Sequence, residues 1–492
     1  MSGFHGPDEE PRSLGDVGDW PPEVFREAGH RTVDWVADYL ARIETLPVLA
    51  RVGPGEILRS LPANPPVHGE PFADLLADLD SVVLPGVTHW NHPGFLAYFG
   101  ITASGPGILG EMVAAAFNTN AMLWRTSPST TELEQGVLDW LRGMIGLPAP
   151  RFGLLTDTAS TSTLVALAAA RESVPGLEVR ERGLSAPGTP RLRLYTSVEA
   201  HSSVEKAAIV LGLGREGVRK IPGDSAFRMD VAALDAAVRE DRASGWLPFA
   251  VSATVGTTST TSVDPVPAIA EICARESLWL HVDAAYAGSA AVLPEKRWCL
   301  AGCEHADSLV INPHKWLFVP IDASALFLRR PEVLRRALQL VPDYLQTTAA
   351  PEAVNLMDYG FQLGRRFRAI KLWWVIRTFG VEGIRRRIAE HCRLAELFAS
   401  WVEADPGFEL AAPVPFSTIC FRATWPGMAA TERDARNERI LERVNADGRV
   451  FLSHTKLRGV YTLRVAIGNL RTEERHLRVA WGLLRAAREG EA

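Results

Sequence analysis

Short apolar runs alternate with stretches of helical period between about residues 106 and 372. The runs are Leu192–Thr196, Phe249–Thr254, Leu278–Val282, Ser308–Asn312 and Ser324–Leu328. Apolar strands separated by helices predict an α/β domain built on a mostly parallel sheet. Upstream, Val24, Phe25, Ala28, Val33, Val36, Ala37, Leu40 and Ala41 recur mostly every three or four residues. Residues 22–46 are therefore predicted helical, with Pro21-Pro22 suited to the start. A second helix is predicted near Phe72–Leu84, beyond the Pro-rich stretch 62–66. Helices this short bury little alone, so residues 20–105 are expected to dock on the rest of the chain or on a partner subunit. Residues 1–19, rich in Gly, Pro and acid, are expected to form a disordered tail. After a helix at Ala369–Thr378, residues 373–492 mix helices with strands Ser417–Arg422 and Tyr461–Ile467, the pattern of a smaller α+β domain.

The composition, 47% hydrophobic and 22% charged over 492 residues, is ordinary for a globular protein with more than one core. Lys and Arg total 52 against 58 Asp and Glu, a net charge of −6, which gives no basic surplus for a nucleic acid and favours a small substrate. Five scattered cysteines without CxxC spacing argue against a disulfide framework or a zinc site, so no metal is expected. They read as reduced thiols. With no signal-like start and no apolar run of membrane-spanning length, a cytoplasmic protein is expected.

Candidate chemistry collects at the ends of the predicted strands, where open α/β sheets present their sites. Asp283 closes the run Leu278–Val282, and Lys315 follows Ser308–Asn312 by three residues, 32 positions after Asp283. A carboxylate after such an apolar run needs a cationic partner or hydrogen bonds. A neighbouring Arg or a capping turn would serve, and so would a protonated pyridine nitrogen. Lys315 sits between an apolar strand and Trp316–Val319, surroundings that lower a lysine pKa and free the amine to attack an aldehyde. Such a lysine paired with such an acid is the minimum apparatus of pyridoxal phosphate chemistry. Residues 153–163 carry small hydroxylated side chains ahead of a helical stretch, which suits either a phosphate at the helix start or a plain Ser/Thr cap. His201, alone, is equally a structural histidine. The GxGxxG match at Gly212–Gly217 follows a predicted helix, Val204–Leu211, rather than a strand, and is read as a helix stop and turn.

With these residues in place, the chain resembles the group II pyridoxal-phosphate-dependent amino acid decarboxylases, most closely the aromatic-L-amino-acid decarboxylases. The resemblance runs from about residue 22 to about 485 and is most specific at Pro85–Trp90, His281–Ala290, Asn312–Trp316, Leu363–Arg368 and Leu463–Ile467. It implies an aspartate-aminotransferase-like fold (fold type I for this cofactor) and a homodimer with active sites at the subunit interface. It also implies roles. Lys315 would hold the cofactor covalently, Asp283 would pair with the ring nitrogen, and His201 and Ala285 would flank the ring. Thr254 would touch its polar edge, and Ala159, Ser160, Asn312 and His314 would bind the phosphate, with His314 also near the reacting groups.

The same resemblance reads Val341–Ala350 as a mobile lid in which Tyr344 supports proton return to Cα. Relatives with phenylalanine there tend to make aldehydes, so tyrosine favours simple decarboxylation to the amine. Tyr98, Phe99, Met122 and Trp124 lie in segments resembling the substrate pocket, and apolar aromatic walls suit an aromatic side chain. Gln362 falls near a wall position that is Pro, Gly or Ser in several relatives. The choice among tryptophan, tyrosine, phenylalanine and dihydroxyphenylalanine stays open. A decarboxylase of glutamate or a sulfinate would need an additional cation; one acting on a diamino acid, an aminotransferase, and a binding protein without turnover are further alternatives.

Overall fold

The computed structural model describes residues 18–148, 151–340 and 353–491; the expected tail up to residue 17, and the expected lid with Tyr344, lie outside the described residues. The chain separates into two compact units, one ending at His89 and the other beginning at Trp90. In the first, Pro22–Arg42 is helical with Pro22 in its opening turn, where a missing N–H costs nothing. Phe72–Asp78 forms another helix, followed by a wide turn, Leu79–Val83, and a tight one, Leu84–Gly86. Trp35 Nε1 donates to Asp80 Oδ2 at 3.0 Å, Arg42 pairs with the same carboxylate, and the Tyr39 hydroxyl meets His89 Nδ1 at 2.9 Å. Of the apolar residues carrying the helical period only Ala28 is buried, while Val24, Phe25 and Val33 stay exposed.

The second unit is organised around seven strands: β1 (Phe152–Thr156), β2 (Arg191–Ser197), β3 (Val218–Ile221), β4 (Trp246–Thr254), β5 (Trp279–Asp283), β6 (Ser308–Ile311) and β7 (Ser324–Leu328). Their order is β1-β7-β6-β5-β4-β2-β3. From β3 to β6 all neighbours are parallel; β7, which returns from β6, runs antiparallel to both β6 and β1. The five predicted strands are present within a few residues of their expected bounds. Two more carry weak signals: β1 has a short apolar run, and β3, Val218-Arg219-Lys220-Ile221, is a charged edge strand. The Gly212–Gly217 stretch indeed follows a helix, Ser203–Val210, with Gly212 and Gly214 at φ +82° and +67° in the turn toward β3.

Strand periodicity divides the core. On β5, β6 and β7, Leu280, Val282, Leu309, Ile311, Ala325 and Phe327 enter one apolar cluster with the helices Val231–Ala243 and Val266–Glu276. Trp279, Val310, Leu326 and Leu328 enter another with the helix Ala159–Glu172. Because side chains alternate across a strand, His281 and Asp283 share the face of Trp279.

The helix predicted at Ala369–Thr378 extends to Ala404, interrupted at Gly380 (φ +65°), a conformation only glycine takes readily and the local stop signal behind the shorter expectation. It packs against an antiparallel sheet of β8 (Phe408–Leu410), β9 (Thr418–Ala423), β10 (Ser453–Leu457) and β11 (Val460–Ala466), in the order β10-β11-β9-β8. The helices Ala430–Asp447 and Glu474–Glu489 complete that layer's core.

Candidate active site

Parallel strands finish at one edge of a sheet, so β2, β4, β5 and β6 deliver their last residues to the same place. Thr254 ends β4 opposite Asp283 at the end of β5, and Asp283 stands opposite Val310 on β6. Beyond β6, Pro313 opens the one-turn helix Pro313–Trp316, which carries His314 and Lys315. A cavity of about 420 Å³ opens over this edge. It is lined by Thr254, Asp283, Ala285, Asn312, His314 and Lys315, by His201 beyond β2, and by Ala159 and Ser160 at the start of the helix Ala159–Glu172. Tyr98 and Phe99 form part of its wall.

Asp283 is buried, and its Oδ1 accepts the Ala285 N–H at 3.0 Å, which fixes both residues. Among the described residues no arginine forms an ion pair with it, so the salt-bridge alternative finds no partner. Lys315 is part-buried at the cavity; burial holds its amine below the usual lysine range, Asp283 pulls it back up, and Arg464 pushes it further down. His314 is driven down to about 4, by burial first and the Lys315 charge second. Its Nδ1 accepts the Ala323 N–H at 2.9 Å, so the ring proton sits on Nε2, 3.4 Å from the Asn312 side-chain amide, whose oxygen is the group that can accept it. His201 is exposed at the cavity, and its Nδ1 accepts the Ser203 N–H at 3.1 Å. Partial burial and Lys315 lower its pKa. Both histidines thus present an Nε2–H.

The supporting polar layer lies under Asp283. Trp279 Nε1 donates to Ser308 Oγ at 2.9 Å, the same hydroxyl is hydrogen-bonded to His281 Nδ1 at 2.9 Å, and His281 Nε2 is bonded to Thr163 Oγ1 at 3.2 Å. The chain of bonds ties β5 and β6 to the helix whose start lines the cavity. Asp264 likewise fixes the end of β4, accepting from Thr254 N at 2.8 Å and Met229 N at 2.7 Å.

Three residues expected at the substrate pocket are not part of this cavity. Trp124 bonds through its backbone N–H to Asn355 Oδ1 at 3.1 Å, and Met122 O accepts from Met357 N at 3.1 Å. Gln362 lines a different cavity, with Phe361 and Arg180. Conversely, Trp90, Tyr286 and Arg464 line the site although none carried an assigned role in the sequence reading. Arg464 had a signal, a lone cation in the apolar strand β11. It is buried and donates to the carbonyls of Tyr98, Thr258 (3.2 Å) and Ser259 (2.9 Å), with its guanidinium carbon 4.7 Å from the Phe99 ring centre.

The match to known proteins spans the whole of this architecture. Residues 54–424 correspond to the pyridoxal-dependent decarboxylase conserved domain. The chain is 41% identical to tryptophan decarboxylase 2 of Oryza sativa subsp. japonica, over 94% of each chain. It is 39% identical to tyrosine decarboxylase 3 of Petroselinum crispum, over 94% of this chain and 91% of that one. The crystal structure of Oryza sativa TDC with PLP and tryptamine superposes with a TM-score of 0.92 at 37% identity, covering 96% of this chain and 99% of that one. The chain therefore belongs to the pyridoxal-dependent decarboxylase family, and it is an enzyme whose cofactor is pyridoxal phosphate.

Proposed function

We propose that the protein decarboxylates an aromatic L-amino acid to its amine, with Lys315 as the covalent anchor of pyridoxal phosphate. The observation that carries this is the meeting of Lys315 and Asp283 on one cavity, one a lysine with a lowered pKa and the other an acid without an arginine partner among the described residues. The cavity suits the cofactor in a second way. Thr254 Oγ1 is buried there without a hydrogen-bond partner among the described residues, a cost that a polar ligand removes. The helix Ala159–Glu172 also starts without a side-chain cap, leaving its first N–H groups open to an anion.

When bound, pyridoxal phosphate supplies an aldehyde for the amine and a pyridinium ring that accepts the electron pair left by departing CO₂. In this reading Asp283 would hold the ring nitrogen protonated, Ala285 and His201 would flank the ring, and Thr254 would bond its polar edge. Ala159, Ser160, Asn312 and His314 hold the phosphate, the last through Nε2–H. His314 also lies beside Lys315, near the reacting groups, and Tyr344 would support proton return to Cα.

Substrate class follows from the wall. Trp90, Tyr98, Phe99 and Tyr286 surround the cavity with aromatic surface, which favours a flat apolar side chain. Arg464, the cation an acidic substrate would seek, spends its guanidinium on three backbone carbonyls. The tryptophan and tyrosine decarboxylases among the relatives support the same class.

A homodimer completes the reading. Phe25 in the first unit and Leu109, Met112 and Phe117 on the helix Gly105–Phe117 leave apolar faces exposed, as a second copy would require. Met122, Trp124 and Gln362, off this chain's cavity, are then assigned to the substrate wall of the partner. A cytoplasmic location accords with five buried free cysteines; among the described residues no helix is long and apolar enough to cross a membrane.

The test is direct. Holoenzyme treated with borohydride should carry the reduced cofactor on Lys315 by peptide mass. A panel of aromatic, acidic and diamino acids, scored for CO₂ and amine, should give turnover with the aromatic members. Attachment elsewhere, or turnover confined to glutamate, would overturn the proposal.

A further inference from the structure

His391 lies on the long helix Ala369–Ala404, past the break at Gly380, and is 4% exposed. Its Nδ1 accepts the indole N–H of Trp316 at 2.9 Å, and its Nε2 lies 3.1 Å from the carbonyl oxygen of Asn469. An indole nitrogen only donates and a carbonyl only accepts, so the ring is locked with its proton on Nε2. Burial pushes the imidazole down to about 4 and keeps it neutral.

Both partners lead to the cavity. Trp316 follows Lys315 directly, and its ring stacks on Tyr286, centres 4.6 Å apart and planes within 2°. Tyr286 stacks in turn on Phe99 at 3.9 Å, and the Lys315 Nζ lies 5.2 Å from the Phe99 ring centre. On the other side, the Asn469 amide donates to the carbonyls of Trp90 at 3.0 Å and His92 at 3.1 Å, the start of the segment that ends at Tyr98 and Phe99. The contacts close a ring: Trp316, His391, Asn469, the segment 90–99, Tyr286, and Trp316 again. His391 joins the lysine-bearing turn, through Trp316, to the Asn469 loop behind the aromatic wall, and does not itself line the cavity.

We propose that His391 is a positioning residue: by fixing the Trp316 indole and the Asn469 loop together, it sets the spacing between Lys315 and the aromatic wall, and thereby the affinity for the aromatic substrate. This rests on the function proposed above. An apolar residue filling the same volume would keep the packing but strand the indole N–H and the Asn469 carbonyl, freeing the two halves of the site to shift. Glutamine, which offers one acceptor and one donor, would restore part of the link.

The experiment compares holoenzyme of wild type, His391→Phe and His391→Gln. The readouts are KM and kcat for an aromatic amino acid, the Kd of phenylethylamine by quenching of tryptophan fluorescence, and borohydride-fixed cofactor on Lys315. In His391→Phe, KM and the amine Kd should each rise about tenfold, the scale of one buried hydrogen bond, with kcat changed less and attachment retained. His391→Gln should recover a substantial part of the loss. Unchanged KM and Kd in His391→Phe, or no recovery with glutamine, would overturn the proposal. Absence of attachment in the wild type would instead sink the assignment of Lys315, which keeps the two failures apart. Should His391→Phe fail to fold, Trp316→Phe keeps a ring in the stack and removes the indole N–H. It should raise the amine Kd similarly, and an unchanged value there would overturn the proposal too.

Discussion

Thr254 and Asp283 face each other in register at the carboxyl ends of β4 and β5, so one parallel pairing brings a hydroxyl without a partner among the described residues beside the carboxylate of the site. Asp264 holds the Thr254 end through its backbone N–H, and Ala285 caps the Asp283 end. The pairing makes the strand ends a rigid base for whatever binds above them.

Asp283→Ala should remove the charge that we propose keeps the cofactor ring cationic. We expect kcat to fall by about 10²–10³, the scale of losing one preorganised electrostatic partner, with the protein still folded. Steady-state kinetics beside a circular dichroism spectrum check this, and near-wild-type turnover would remove Asp283 from the site.

Tyr344→Phe tests the support for proton return that the family resemblance gives to Tyr344. With oxygen and water available, the variant should form less amine and more aldehyde, with ammonia and hydrogen peroxide released alongside CO₂. Product analysis by chromatography and a peroxidase-coupled assay decides it. An unchanged amine yield without peroxide would take Tyr344 out of the mechanism.

Acid should destabilise the protein well above the carboxylate range. His281, His314 and His391 are pushed down to about 4 by burial, against about 6.5 in an unfolded chain. Below pH 6.5 the unfolded chain takes up protons that the folded protein refuses, so the stability these groups contribute is full above pH 6.5 and is lost as pH falls toward 4. Asp264 works the other way: burial raises its carboxyl to about 6, so the folded form binds that proton first. Three protons taken up on unfolding less one leaves about two, a loss of about 2–3 kcal/mol per pH unit between about pH 6 and 4.5. Urea titrations across that window should show this slope, and a flat profile would contradict the neutral, buried state of the three rings.

Arg464→Met should cost about 2–4 kcal/mol of stability, because the carbonyls of Tyr98, Thr258 and Ser259 lose a shared donor in a buried place. KM for the aromatic substrate should rise as the Tyr98–Phe99 wall loosens, and Arg464→Lys should restore part of both. A variant as stable as wild type would show that water replaces the guanidinium freely.

Much of the site was legible because the informative residues sit at the ends of strands that announce themselves. Asp283, Asn312 and Lys315 each follow an apolar run, and parallel strands gather such ends on one edge whatever the connections between them. The small hydroxylated stretch 153–163 left open a phosphate site or a plain cap, and Ala159 and Ser160 were singled out only by the family resemblance. By contrast, β3 carries Arg219 and Lys220 at an edge that needs no apolar face, and the break at Gly380 hid the helix that continues beyond it. Met122, Trp124 and Gln362 matched segments of a pocket, yet the chain that carries them does not bring them to its own cavity.

Local order in the sequence thus determined five strands of the central sheet and the acid and lysine that follow two of them, because those properties depend only on neighbours a few residues away. Only the tertiary structure decided that Arg464 and Phe99 meet, and that His391 joins Trp316 to Asn469. Such contacts span scores to hundreds of residues, and they depend on how whole layers pack rather than on any periodicity along the chain.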